Sequence, residues 1–182
     1  MARAKRNAGA AGVSERIEFK LVSPGPLPFD DGVFDLVFSK DSMLHIPNKR
    51  SLFADVFRVL VLGGVFAASD WLAGENADND PAFRRYVEDG QLNFSMATRQ
   101  QTEDALREAG FSEVSSEDRH NWYAGICAQE VKAIAGHVRA DIIAVSDLET
   151  YDNWLSVRRA LAAAVASGGL CPTHLHGVRP NN

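Results

Sequence analysis

The run from Phe34 to Trp71, FDLVFSKDSMLHIPNKRSLFADVFRVLVLGGVFAASDW, constrains this chain more than any other stretch. Phe34 to Ser39 and Val65 to Ser69 are nearly continuous apolar segments, the pattern of strands covered on both faces in a parallel sheet. Between them, from Lys49 to Leu62, the residues Leu52, Phe53, Val56, Phe57, Val59 and Leu60 recur at helical spacing, and Gly63-Gly64 closes the helix. Strand, helix and strand in that order predict an α/β fold. Asp41 to His45 fit one helical turn that Pro47 interrupts. At a separation of four, Asp41 and His45 share a face of that turn, just past the carboxyl end of the first strand, where open α/β sheets bind ligands.

The rest of the chain reads as further elements of the same kind. Residues 2 to 11 suit a helix ended by Gly12, and Arg16 to Leu21 alternate like a short strand. The prolines and glycines of VSPGPLPFDDG make the next stretch a loop. Pro81 opens a helix reaching Glu88, and Thr98 caps one that ends at Gly110. Phe111 to Glu117 is a strand, Trp122 to Val145 one long helix, Tyr151 to Ala166 another, and Thr173 to Val178 a last strand. No linker separates two domains. Residues 1–182 are therefore expected to form one unit, with 33–119 as its core, 120–182 as C-terminal helices and last strand, and 1–32 loosely attached.

Composition excludes some partners. With 182 residues, 46% of them hydrophobic, the chain buries a real core, and a formal charge of −5 gives no basic field for nucleic acid or an anionic membrane. A small-molecule substrate fits better. There is no apolar run of membrane-spanning length, and the two cysteines, Cys127 and Cys171, lack metal-type spacing, so a reduced cytoplasmic setting is expected. His174 and His176 share one strand face, but no third ligand accompanies them in sequence; packing is the default and no metal is expected. Arg158-Arg159 read as surface arginines.

One phrase carries more. An apolar strand after Phe34-Asp35, then Ser39-Lys40-Asp41-x-x-Leu44-His45-Ile46, a helix, Leu60-x-x-Gly63-Gly64, a strand and Ser69-Asp70-Trp71 together resemble the class I S-adenosylmethionine-dependent methyltransferases. The likeness is to their phosphoethanolamine- and sarcosine-type small-molecule N-methylating members, and it continues more weakly to Asn153-Trp154. It implies a Rossmann-like methyltransferase sheet with a helical insertion and S-adenosylmethionine as cofactor. By the same resemblance His45 is the general base or amine-positioning group and Asp41 its polar partner. The Ser39-Lys40 backbone lines the methionine part of the cofactor. Trp71 stands where an aromatic faces a methylated ammonium through cation–π attraction, with plain core packing as the equal alternative.

The phrase also has departures. Ser23 and Pro24 stand where the family contacts adenine; serine weakens the first contact and proline has no N–H for the second. Glu88 and Asp89 occupy the stretch where phosphate-binding members carry Arg and Tyr, which argues against a phosphorylated acceptor. The family's glycine-rich turn and its ribose-binding acid belong upstream of the helix at residues 2–11. The sheet is accordingly expected to be truncated at its N-terminal side, with low cofactor affinity, four remaining strands in a mixed core, and an exposed edge that invites association between copies. The expected function is methyl transfer to a small acceptor, an amine. The alternative is a non-catalytic remnant acting as an interaction module.

Overall fold

The computed structural model describes residues 1–23, 25–90 and 93–181. After helix α1 (Ala2–Ala10) come strand β1 (Phe34–Lys40), helix α2 (Lys49–Val59) and strand β2 (Leu60–Ala73). Helices α3 (Pro81–Asp89) and α4 (Arg99–Glu108) lead to strand β3 (Ser112–Asp118). Helices α5 (His120–Ala135), α6 (Arg139–Val145) and α7 (Leu148–Ala166) lead to strand β4 (Leu170–Val178). The sheet order is β1-β2-β4-β3, with β1 and β2 parallel and β4 antiparallel to both its neighbours. This is the four-stranded mixed core the sequence implied.

Alternation along the strands sorts the core into two sides. In the register that sets Val37 beside Phe66 and Ser39 beside Ala68, these residues share one face of the sheet, and Leu36, Phe38, Ala67 and Trp71 take the other. On the first face Phe53 and Val56 of α2 and Ala105 and Leu106 of α4 close over Phe66, Ala68, Leu72 and Leu175; Phe66 meets Phe53 edge-on at 5.7 Å. On the second face a separate cluster of Cys127, Leu161, Ala164, Val165 and Leu170 takes in Trp71, Phe83, Tyr86 and Tyr123 at its margin. Phe38 lies outside that cover and is 62% exposed, as Leu36 is 56%. Among the described residues β1 pairs only with β2.

Helix ends follow the chemistry of their caps. Thr98 and Gln101 form a reciprocal capping box on α4, and Asp80 caps α3 ahead of Pro81. The Asp80 carboxylate also accepts from the Ser167 hydroxyl, so the start of α3 docks on the end of α7. Gly169 must be glycine there, since a Cβ would lie 2.2 Å from Asp80 Oδ2. The end of α2 is held from the far strand. Arg179, just past β4, donates from one guanidinium nitrogen to the carbonyls of Phe57 (3.0 Å), Arg58 (3.0 Å) and Leu60 (2.6 Å), and its plane covers the Phe57 ring at 4.9 Å.

Three expectations are corrected. Residues 16–21 form no strand: a 3-10 turn at Ser14–Arg16 is followed by Ile17 in an extended conformation and then by backbone without regular structure, because alternation favours extension but only a neighbouring strand makes a sheet. The helix expected from Trp122 to Val145 breaks at Gly136, whose φ of −111° and ψ of −112° no helix tolerates, into α5 and α6. Helix α2 stops at Val59, three residues early, because Leu60 leaves to pair with Phe34 and the chain re-enters the ladder through Gly63, at φ +74°. The N-terminal part is tied down over residues 27–33. Arg58 donates to the carbonyls of Leu27 and Phe29 and pairs with Asp31, while Ile17, Leu21 and Val22 stay exposed.

Replacing Arg179 by alanine removes the guanidinium donor from the carbonyls of Phe57, Arg58 and Leu60, of which Arg58 keeps the Gly32 N–H at 2.9 Å. The unfolding free energy should fall by about 1–3 kcal/mol in urea denaturation, with the slope unchanged. An unaltered midpoint would mean that water replaces the guanidinium without loss.

Candidate functional site

The parallel pair ends at a turn held by two charged side chains. The Asp41 N–H makes the last rung, to the Ser69 carbonyl at 3.0 Å, and Asp41 itself takes φ +49°, a left-handed conformation that short polar residues tolerate best. A single 3-10 turn, Met43–His45, follows, with Met43 and Leu44 buried. Ser39 and Ser42 close it from the strand side, hydroxyl to hydroxyl at 2.8 Å. Asp70, at the mouth of β2 and only 2% exposed, accepts from the Met43 N–H at 2.7 Å and the Trp71 N–H at 2.8 Å. From the other side the Lys49 ammonium donates to the carbonyls of Met43 (2.7 Å), Ile46 (2.6 Å) and Ser95 (2.7 Å).

The two groups feel each other across the turn. Burial raises the Asp70 pKa above the usual carboxylate value despite the lowering pull of the Trp71, Met43 and Ser42 N–H groups, and the Asp41 charge raises it further. Burial lowers the Lys49 pKa, and the Asp70 charge opposes that shift.

Around this turn stand aromatic rings from four elements. The His45 ring, exposed on one side, lies 5.6 Å from Phe94, which stacks on Tyr86 of α3 at 6.2 Å. Trp71 meets Tyr123 of α5 edge-on at 5.2 Å. Burial raises the pKa of both tyrosines; the Asp41 charge adds to the rise at Tyr123, while Arg158 of α7 pulls both down. Both phenols therefore stay protonated at neutral pH and offer O–H donors beside π faces. The Cys127 thiol between them is pushed up to about 11, mainly by burial, so it is no thiolate nucleophile. Arg158 also walls a cleft of about 440 Å³ between α3 and α7, with Tyr86, Asp89, Asn153, Trp154 and Leu161.

The sequence-derived candidates fall out as follows. Asp41 and His45 both lie at the strand end and both are exposed, but they do not share a helical face: Asp41 precedes the turn at positive φ, so the four-residue spacing loses its helical meaning. Ser39 is half-buried against Ser42, and Lys40 is exposed with its ammonium 3.5 Å from Asp41. Ser23 sits on the irregular N-terminal stretch, and Pro24 lies outside the described residues. Trp71 is half-buried against Tyr123, on the margin of the core beneath α5 and α7. None of these six lines the 440 Å³ cleft, the 630 Å³ cleft between α2 and α4, or the 260 Å³ hollow under Trp154. Sequence reasoning missed Lys49, Phe94, Tyr86 and Tyr123 and gave Asp70 no role. For Asp70 a signal existed, a lone carboxylate inside the apolar run VFAASDWLA.

Exchanging Asp70 for asparagine leaves one acceptor where two are used, which should cost about 1–3 kcal/mol of stability. Because the folded pKa of Asp70 is raised, its ionisation weighs against the fold. Wild-type stability relative to D70N should therefore be greatest below the unfolded carboxyl pKa and shrink as pH rises through the raised value. Denaturation of both proteins across that range reads it, and a gap that widens with pH would contradict the assignment.

Known proteins resemble this chain in sequence and in fold. A profile described as methyltransferase domain matches residues 1–68. Sterol 24-C-methyltransferase of Aspergillus fumigatus is 32% identical over 120 residues, covering 64% of this chain and 32% of that protein. Phosphoethanolamine N-methyltransferase 3 of Arabidopsis thaliana is 28% identical over 125 residues, covering 69% of this chain and 25% of that protein. The chain thus spans about a third or less of these two relatives. Among solved structures, phosphoethanolamine N-methyltransferase 2 of Haemonchus contortus, in complex with phosphomonomethylethanolamine and S-adenosylhomocysteine, superposes with a TM-score of 0.74 at 23% identity, over 84% of this chain and 35% of that one. By the match over residues 1–68 the chain is similar to methyltransferases, and its mixed four-stranded sheet shares the Rossmann-like fold of the solved S-adenosylhomocysteine complex.

Proposed function

We propose that the chain carries the acceptor side of S-adenosylmethionine-dependent methyl transfer to a small amine. The observation that supports it most is the turn braced by Asp70 and Lys49, which sets Asp41 and His45 at the carboxyl end of the parallel pair, beside a wall of protonated tyrosines and other aromatic rings. A carboxylate with π faces suits a centre that is cationic, as a methylated ammonium is.

The donor set fits the sulfonium and methionine end of the cofactor. The Asp41 carboxylate suits the positive sulfur, the Ser39-Lys40 backbone would hold the methionine part, and Ser23 offers a hydroxyl toward the adenine. When bound, the cofactor supplies an electrophilic methyl group. The chain's own work is positioning and proton handling. His45 accepts the amine proton and, being exposed, passes it to solvent. Asp41 favours the cationic product, and its ion pair with Lys40 moderates the local charge. Tyr86, Phe94, Trp71 and Tyr123 shield the acceptor from water and hold it by its apolar atoms. Neither thiol takes part.

A second reading, the non-catalytic interaction module, is favoured by one observation. The free edge of β1 and the exposed Leu36 and Phe38 beside it are features that sheets use to pair with other chains. Titration calorimetry of this chain with S-adenosylhomocysteine separates the two. Micromolar binding supports the transferase; no heat at millimolar ligand supports the module. In the first case His45→Ala should lower the turnover of amine methylation by about 10²–10⁴-fold while leaving cofactor affinity within a few-fold. Full turnover in that variant would remove His45 from the chemistry.

A further inference from the structure

The junction where β3 passes into α5 plays no part in the site above. Asp118 ends β3, His120 is the first residue of α5, and Cys171 is the second residue of β4, which runs antiparallel beside them. The ligand atoms of Asp118, His120 and Cys171 all lie within 4.8 Å of one another. Asp118 Oδ1 stands 2.9 Å from His120 Nδ1 and accepts the His120 N–H at 2.8 Å. The Cys171 thiol leans on the Gly168 carbonyl at 3.3 Å, and a Cβ built on Gly168 would lie 3.9 Å from the other nitrogen of the His120 ring. Satisfying the His120 N–H at the start of α5 needs Asp118 alone; it does not need a thiol and an imidazole brought to the same point from another strand and a helix.

We propose that Asp118, His120 and Cys171 bind one zinc ion. The three donors are a carboxylate, an imidazole and a thiolate, a set that borderline-soft Zn²⁺ accepts and that hard Mg²⁺ or Ca²⁺ does not. Tetrahedral bonds of about 2.0–2.3 Å place ligand atoms about 3.3–3.7 Å apart, so a pair at the 4.8 Å limit closes by roughly 1.1–1.5 Å while Asp118 Oδ1 and His120 Nδ1, now 2.9 Å apart, open by roughly 0.4–0.8 Å, both within side-chain rotation. The backbone under it is fixed: the Arg119 N–H donates to the Pro172 carbonyl at 2.8 Å, and Asp118 is paired with Thr173. Glu75 adds negative charge near Cys171 and Arg99 opposes it, while Arg119 is engaged by Glu117 at 2.5 Å. Asp118 is an exposed residue and the side chains of Asp118 and His120 are 31% and 26% exposed, so water reaches the fourth position. Binding releases the thiol proton to solvent and forms the Zn–S bond in its place. The ion then staples the root of α5 to the start of β4, and α5 carries Tyr123 to Trp71.

The test is a Co²⁺ titration of the full chain after chelator treatment. A sulfur-to-cobalt charge-transfer band should grow to one equivalent and vanish when zinc is added. Cys171→Ser should abolish the band, whereas Cys127→Ser should keep it. Competition against a chromophoric chelator should show zinc affinity reduced at least tenfold in both C171S and His120→Asn, since loss of an outer-shell partner alone costs about 10–100-fold. Circular dichroism of each variant guards against misfolding, and H120N reads the same site without touching the thiol. No one-to-one band in the wild type, or a band that survives C171S, overturns the proposal.

Discussion

The site depends on one arrangement, a buried carboxylate and a half-buried ammonium holding opposite polarities of the same short turn. Asp70 satisfies N–H groups and Lys49 satisfies carbonyls of a segment too short to satisfy its own. Apolar substitutes at either position would take these partners away, leaving the Met43 carbonyl only the Ile46 N–H, at a place where Met43 and Leu44 are already out of water. The arrangement costs desolvation of two charges, which the opposed shifts of their pKa values record. It gives in return a backbone that cannot re-register. Strand end, turn and helix start are fixed to one another, and Asp41 and His45 with them.

The two faces of the sheet are stabilised differently. The face under α2 and α4 is a packed aromatic core that needs no outside help: Phe53, Leu60, Phe66 and Leu106 are fully buried. Arg179 then ties that core across the sheet, because its guanidinium comes from the end of β4 and closes the last turn of α2. The opposite face is covered only toward the carboxyl end of β2, by α3, α5 and α7, and bare at β1. That uneven cover is why Phe38 faces water while Trp71, also on this side, lies in a margin of rings.

What the sequence disclosed was governed by local rules, and what it hid was governed by tertiary ones. Thr98, Pro81 and the helix-strand alternation of Phe34 to Trp71 told their story in a few residues, because caps and periodicity act within one or two turns. The pairing partner of residues 16–21 is a non-local matter, and the alternation there left it open. Asp41's positive φ follows from where β1 must stop against Ser69, which no spacing rule contains. Tyr86, Phe94, Tyr123 and Arg158 converge from four separate segments of the chain, and each alone reads as ordinary helix or loop. Asp70 was the legible exception: a carboxylate in a buried strand announces a partner, even when the partner, Lys49, sits on a helix whose own pattern is unremarkable.

These facts divide the candidate site into two independently mounted walls. Asp41 and His45 belong to the sheet through the brace beneath them, whereas Tyr123 belongs to α5, whose first turn is rooted where β3 meets β4. Trp71 and Tyr123 meet edge-on between the walls, and Cys127 of α5 packs in the same cluster as Leu170 of β4. Such an aromatic pair contributes only about 0.5–1.5 kcal/mol beyond its buried area. In the proposed reaction, acceptor fit would be set from the helical side and proton handling from the sheet side. Sequence change in α5 and α7 would then alter which molecule is held without disturbing the groups proposed to act on it.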